Sequence, residues 1–330
     1  MISKEEYNNY VNSILSQEDK EKMGSFNNGS NKLKTLSNLF LALFVICLVI
    51  SLVLIVVMFT SFNRTHTPSN FNYSTYIFIC MFLSVVSIVV YIAMRAKINS
   101  VFINIENNYK EQIINFLLKD KNFSYNKTYF INYETFRNAQ ICSSRIDEYS
   151  GEDFLSINIP KDDGTKSNTN FYISDIKAVR IDRDEEKDTF TRTTVYSGAF
   201  GFIDFPFTFK ATLTINSSYR STKSLEKVKL EDIKFNKAFK VKCSDQIEAR
   251  YILTPELMLD LLKLKQKMGQ ILLVLDGSRM YIAFPHKNLF KINRNTKKIG
   301  FETFYTFYED IYSLLSLVKE IQTNNKIFKM

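Results

Sequence analysis

The chain has 330 residues, 43 basic against 34 acidic side chains, a formal net charge of +9 and 45% apolar content. That is enough for one sizeable core or two small ones once membrane segments are set aside, which excludes a largely disordered chain. Its cysteines, Cys47, Cys80, Cys142 and Cys243, form no close pair, which argues against a disulfide framework and fits a reducing compartment.

Residues 1–35 form an N-terminal cytoplasmic segment. Within it, residues 2–24 mix Ile, Tyr, Val and Leu with Lys and Glu, the blend of an amphipathic helix, and Asn27, Asn28, Gly29 and Ser30 then predict a break. Leu36 to Phe59 contains no charged residue in 24 positions, and Ser74 to Met94 none in 21. Both exceed the roughly 18 to 20 residues that cross a hydrocarbon layer of about 30 Å as helix, and both are apolar all round. A cleaved leader would have a short basic start and a shorter apolar run, so the first span is expected to stay. The external loop, 60–73, holds Arg64 and His66 and is too short for a domain, so the spans make a hairpin. Lys32, Lys34, Arg95 and Lys97 flank that hairpin on its other side, predicting a multi-pass protein of the inner membrane with both termini cytoplasmic. In the juxtamembrane segment 95–120, Ile98, Phe102, Ile105, Tyr109, Ile113 and Phe116 recur at helical steps. The stripe is too short for a sustained coiled coil and reads as packing on the following domain.

Residues 121–330 read as a cytosolic α+β domain, with antiparallel sheet and packed helices. DFLSINIP, NFYISDIKAVRI and TFTRTTVYSGAF alternate apolar and polar residues, with KDDGTKSN, Lys161 to Asn168, as the turn between the first two. In GFIDFPFTFKATLTI, Phe205, Phe207 and Phe209 predict one face of a strand that Pro206 places at an edge or bulge. SDQIEARYILTPELMLDLL carries two helix starts. Asp245 and Glu248 are spaced as a capping box, and Thr254, Pro255 and Glu256 repeat the signal with a hydroxyl cap, a proline at the first helical position and an acid at the positive end of the dipole. Leu257, Leu261, Leu264 and Met268 mark a buried stripe ending at Gly269. ILLVL, Asp276-Gly277 and RMYIAF predict a type I′ hairpin, and Tyr308 to Asn324 a closing helix.

These residues resemble a known family. SGAFGFIDFPFTF, LEKVKLEDIKFNKAFKVKCSDQIEARYILTPELMLDLL and MYIAFPHKNLF are similar to the bacterial membrane family called domain of unknown function 3137, over about Arg145 to Ile292. The resemblance implies the hairpin-plus-domain architecture, no assigned activity, and a LemA-type membrane protein as a partner.

Chemistry is harder to find. SGAFG lacks the third glycine of a dinucleotide fingerprint, no Walker loop exists, and DRDEEKD has Lys187 where a calcium loop needs glycine. Cys142, Cys243 and His286 match no zinc spacing, and a Cys243 and His286 catalytic pair would have to meet in space. No catalytic residue, cofactor or metal is assigned. Asp204, Asp245, Glu248, Arg250 and His286 are the candidates for a binding or structural cluster, with Arg250 expected as a buried guanidinium on Asp245 or Glu248. Scattered lysines lack nucleic-acid motifs and read first as a solvated face, with anionic lipid headgroups as the acidic partner second, at about 1 kcal/mol per well-placed cation. The leading expectation is a membrane-anchored binding module in contact with the lipid bilayer. A membrane-tethered enzyme is the alternative, and an oligomeric membrane assembly or pore the second.

Overall fold

The computed structural model describes residues 2–65, 73–159, 169–184, 188–216, 225–290, 302–324 and 328, without the side chains of 19, 22–34, 61–65, 73, 97–99, 101–107, 184 and 302–303. The chain divides into two compact units, one of Asn8–Tyr109 and Ile292–Phe301, the other of Met1–Tyr7, Lys110–Lys291 and Glu302–Met330.

Three helices open the chain: α1 (Lys4–Ile14), α2 (Gln17–Thr65) and α3 (Tyr73–Leu117). Within α2 and α3, Thr35–Thr60 and Ser74–Ala96 are long and apolar enough to cross a membrane, with mean hydropathies of 3.5 and 2.7. A soluble core helix would be mostly buried, yet only 11% of each segment is. Leu39, Phe59, Phe78 and Phe82 stand 60 to 78% exposed, an apolar surface far too large to leave in water. The buried exceptions are small residues, Ser37, Cys47, Ser51, Ser84 and Ser87, the types that let membrane helices approach closely. Ser51 and Ser84 donate to carbonyls of their own helices, Leu48 and Met81. Arg95 donates to Asn38 Oδ1 at 3.3 Å and lies over the Tyr91 ring.

Asn27 to Ser30 do not end a helix. Helix α2 runs through them, and the interruption falls at Leu15–Ser16. Gly and Asn cost roughly 0.5 to 1 kcal/mol each inside a helix, a weakening and no stop, and the stretch has no proline. Lys32, Lys34, Arg64, Lys97, Ile98, Phe102 and Ile105 fall among the undescribed side chains, and His66 outside the described residues.

The other unit is an α+β domain. In chain order it holds β1 (Asn122–Asn126), α4 (Tyr133–Asn138), β2 (Glu148–Ile159), β3 (Thr169–Asp184), β4 (Thr189–Asp204), β5 (Leu213–Ile215), β6 (Glu226–Val228), α5 (Ile233–Ala238), β7 (Val241–Cys243), α6 (Gln246–Ile252), α7 (Pro255–Met268), β8 (Leu272–Asp276), β9 (Arg279–Pro285) and α8 (Glu302–Thr323). The strands form a single sheet in the order β1-β2-β3-β4-β9-β8-β5-β7-β6, antiparallel throughout. The alternation read from the sequence appears as two buried faces. Leu155, Ile157, Phe171, Ile173, Ile203, Met280 and Ile282 fill one, where α8 meets β2 at Leu315, Ile157 and Ile159. Ile176, Ala178, Tyr196, Phe200 and Ala283 fill part of the other, covered by Ile131, Phe136, Ala139 and Ile141. The N-terminus also belongs to this unit: Ile2 donates its N–H to Tyr308 Oη at 2.7 Å, and Tyr7 packs on Tyr305.

Some local expectations change. Strand β4 stops at Asp204, before Pro206, and Phe205, Phe207 and Phe209 follow as irregular chain. All three rings nonetheless converge on Phe328, at 5.0 to 5.8 Å between centroids, so they pack as core without a strand. The β8–β9 turn has Gly277 and Ser278 as its central residues, since Asp276 pairs with Arg279. Gly277 has φ +59° and Ser278 no positive φ, the pattern of a type II′ turn in place of type I′. Lys161 to Asn168 lie outside the described residues.

The two helix starts are as expected in outline. Thr254 Oγ1 accepts from Leu257 N at 3.1 Å with Pro255 at the first helical position, and Gly269 closes α7 at φ +85°. Asp245 Oδ1 accepts from Ile247 N at 2.7 Å and Glu248 N at 3.1 Å. Asp245→Ala is expected to cost about 1 kcal/mol through loss of this cap, read as a shift in the denaturation midpoint of the detergent-solubilised chain.

Candidate functional site

The candidate residues are dispersed. Asp245, Glu248 and Arg250 lie on α6 and its cap. Arg250 is exposed and its Nη1 donates to Gln246 O one turn back at 2.6 Å, so among the described residues it bridges neither acid. The reason is local: residues four apart lie one above the other on a helix, so the exposed guanidinium reaches back to the Gln246 carbonyl of its own α6. Among the described residues Glu248 does not close the capping box, and its Oε2 is buried without a hydrogen-bond partner. His286 is exposed, at φ +64°, with its N–H bonded to Ser197 O at 2.6 Å. Cys243 is fully buried on β7, and burial pushes its thiol pKa up, the reverse of what a nucleophile needs. Register also separates the pair: Cys243 aligns with Leu213, Leu275 and Met280 across three strand spacings, and His286 lies six residues beyond Met280. That is roughly 14 Å across the sheet and 20 Å along it, so Cys243 and His286 form no dyad.

Asp204 has a different setting. Its Oδ1 accepts from Arg279 Nε at 2.5 Å between paired positions of β4 and β9. Arg279 lies over the rings of Phe202 (4.6 Å) and Tyr281 (5.8 Å), within cation–π range. Phe202 stacks on Tyr172 at 4.6 Å, Tyr172 on Phe154 at 6.0 Å, and Tyr129 meets Phe154 edge-on at 5.2 Å. These side chains cross β2, β3, β4 and β9 as one row. Phe154, Tyr172 and Phe202 are half-buried and Tyr129 is 59% exposed. Cross-strand pairing sets the row, because Tyr172 faces Ser156 and Phe202, and Phe202 faces Tyr281. Half-exposed aromatics with an arginine are the composition of binding hot spots.

On the opposite face lies a buried charge cluster. A β-bulge between Glu152 and Leu155 gives Asp153 a φ of +66° and turns its carboxylate fully inward. Lys110, 3% exposed near the end of α3, donates to Asp153 Oδ2 at 2.7 Å, and Tyr125 Oη donates to Oδ1 at 2.5 Å. Burial raises the Asp153 pKa, opposed by Lys110 and Tyr125. Asp175, 3% exposed on β3, accepts from Leu289 N (3.0 Å) and Phe290 N (3.3 Å). Burial pushes its pKa up to about 7, against those two N–H groups and Lys110 and with help from the Asp153 charge. The cluster ties α3, β1, β2, β3 and the chain after β9 to one point. Among the described residues no group of acids, His and Cys could hold a metal ion.

The raised Asp175 value has a consequence for stability. Its folded pKa exceeds the unfolded one, near 4, so its contribution is full below about pH 4 and is lost as pH rises through about 7. The intact chain in detergent should therefore melt at a lower temperature at about pH 8 than at about pH 5.5, and Asp175→Asn should flatten that difference.

Residues 194–323 match the model of the family described as protein of unknown function (DUF3137). The match supports the family resemblance seen in the residues. The DUF3137 segment takes in most of the sheet from β4 onward, with Asp204, Phe202 and Arg279, and closes on α8; both spans, β1 to β3, Lys110, Asp153 and Asp175 precede it. No curated protein matches the chain. Among solved structures, the crystal structure of the mycobacterial trehalose monomycolate transport factor A, TtfA, is similar at 8% identity and a TM-score of 0.32, covering 64% of this chain and 96% of that one.

Proposed function

We propose that the chain is a membrane-anchored binding module of a bacterial inner membrane, with both termini cytoplasmic and its α+β domain offering the Phe154–Tyr172–Phe202–Arg279 row to a protein partner. The observation that carries this reading is the row itself: rings and a guanidinium left half-exposed across four strands. Two apolar spans supply the anchor. The family resemblance points to a LemA-type membrane protein as the partner, and basic side chains would add contacts with anionic headgroups.

The test is co-purification of the full chain with the LemA-type protein of the same cell after mild detergent extraction, against a hairpin-only control. Wild type should retain that protein reproducibly, and Tyr172→Ser with Phe202→Ser should reduce retention at least about tenfold, as expected on losing a hot spot. Equal retention by wild type, variant and control would sink the reading.

A further inference from the structure

The sheet leaves a long edge open in its middle. Among the described residues, strand β4 pairs with β9 only over Gly198–Asp204, while its first half pairs with β3 alone. Thr189 to Thr194 are all exposed. The direction of the backbone there is set by its neighbours. Ile181 spends its N–H on Asp147 and its carbonyl on Arg145, and Val179 O accepts from Asp147 N, so both turn away from β4. Their β4 partners, Arg192 and Thr194, are therefore in non-hydrogen-bonded pairs and turn their own N–H and C=O outward, and by alternation so does Phe190.

Exposed edges are usually blunted by proline, by lysine or by shortness. TFTRTTVY, Thr189 to Tyr196, has none of these. Its one charge, Arg192, is paired with Glu148. Phe190 is 64% exposed, with Arg183 over its ring at 5.7 Å.

We propose that this edge pairs with the same edge of a second copy of the chain, antiparallel and two-fold about Thr191, making one continuous sheet from two domains. The register follows from the residues. Centred on Thr191, the outward residues Phe190 and Arg192 face the partner's Arg192 and the partner's Phe190 and exchange four backbone hydrogen bonds. Thr191 faces the partner's Thr191, and Thr189 the partner's Thr193. Aromatic–cation and Thr–Thr pairs are favourable cross-strand neighbours. Centring on Arg192 would set like charges directly opposite, which is destabilising. Centring on Thr193 would drive the incoming strand into His286, which already occupies the position beside Ser197. A closed two-fold contact is also the commonest way for copies to associate. Four hydrogen bonds make a weak contact alone, and confinement of both copies to one bilayer raises their effective concentration.

Cysteine cross-linking of the full chain in liposomes tests this. The two-fold axis sets the Thr191 positions opposite each other in a non-hydrogen-bonded pair, with Cα atoms about 4.5 Å apart and within disulfide reach. Thr191→Cys should therefore form a disulfide dimer at least about tenfold faster than Arg192→Cys, whose thiols are offset, over a background set by the four native cysteines. Adding Arg192→Pro, or independently Phe190→Pro, removes an outward donor without breaking a bond to β3, and should abolish the dimer while circular dichroism shows a folded chain. Three results would overturn the proposal. One is no dimer above background. Another is equal cross-linking at 191 and 192, or cross-linking that survives both prolines, which would place the contact elsewhere, as between spans. The third is a Thr191→Cys thiol shielded from alkylation but not cross-linked, which would mean that another polypeptide covers the edge.

Discussion

Lys110→Met is expected to destabilise the domain by about 3 to 5 kcal/mol, the usual cost of leaving one member of a buried ion pair without the other. Lys110 is 3% exposed and Asp153 fully buried, so no water replaces the lost ammonium. Among the described residues Tyr125 alone would hold the carboxylate. Part of the loss is relieved if Asp153 takes up a proton, which burial already favours. The deficit should therefore be larger at about pH 8 than at about pH 5.5. Lys110→Met combined with Asp153→Asn removes both charges and should recover roughly half of the loss, because a neutral pair in a dry site costs far less than an orphaned ion. Thermal unfolding of the four chains in detergent, at both pH values, gives the coupling directly. Additive losses with no pH dependence would mean that the two side chains do not meet.

Gly198→Ala should be as damaging, for a reason of shape. Gly198 has φ +148°, and an added Cβ would sit 2.2 Å from the Phe284 carbonyl oxygen and 3.0 Å from His286 N. Neither is the end of a flexible side chain. The bonds on either side, His286 N to Ser197 O at 2.6 Å and Ala199 N to Lys287 O at 2.8 Å, leave β4 and β9 no room to part. Strained backbone and overpacking together predict a loss of about 2 to 5 kcal/mol. Gly277→Ala is the comparison: it needs φ +59° but meets nothing within 4 Å, so it carries backbone strain alone and should cost about 1 to 3 kcal/mol. The same denaturation experiment reads both. In SGAFG, then, the first glycine serves the close approach of two strands, and no phosphate has to be invoked.

The spans were legible because no charged residue interrupts Leu36 to Phe59 or Ser74 to Met94, and β2 to β4 because alternation survives wherever one face is buried. Their boundaries reflect chemistry that the pattern also contains, such as Pro206 after Asp204 and Thr254-Pro255 before α7. The buried charges left a fainter mark. Asp153 stands in phase with Leu155, Ile157 and Ile159, and Asp175 in phase with Phe171 and Ile173. An acid at a core position of an alternating strand is itself a signal of a buried, partnered charge. The partner could not be read, because Lys110 comes from a helix 43 residues earlier in the chain. Arg279 was equally hidden, since only register places it beside Asp204 and over Phe202. Asp245, Glu248 and Arg250 carry the denser charge pattern, and it serves mainly a helix start.

Hydrogen exchange on the full chain in lipid nanodiscs tests the central claim most directly, that two lipid-embedded spans carry a domain into which the end of α3 is bolted. The account predicts slow exchange at Thr35–Thr60 and Ser74–Ala96, and at Ile113, Ile114, Leu117 and Leu118 protection as deep as that of Ile173 and Ile203 in the sheet. Spans that exchange freely in lipid, or an α3 end that opens like a frayed terminus while the sheet stays closed, would contradict it.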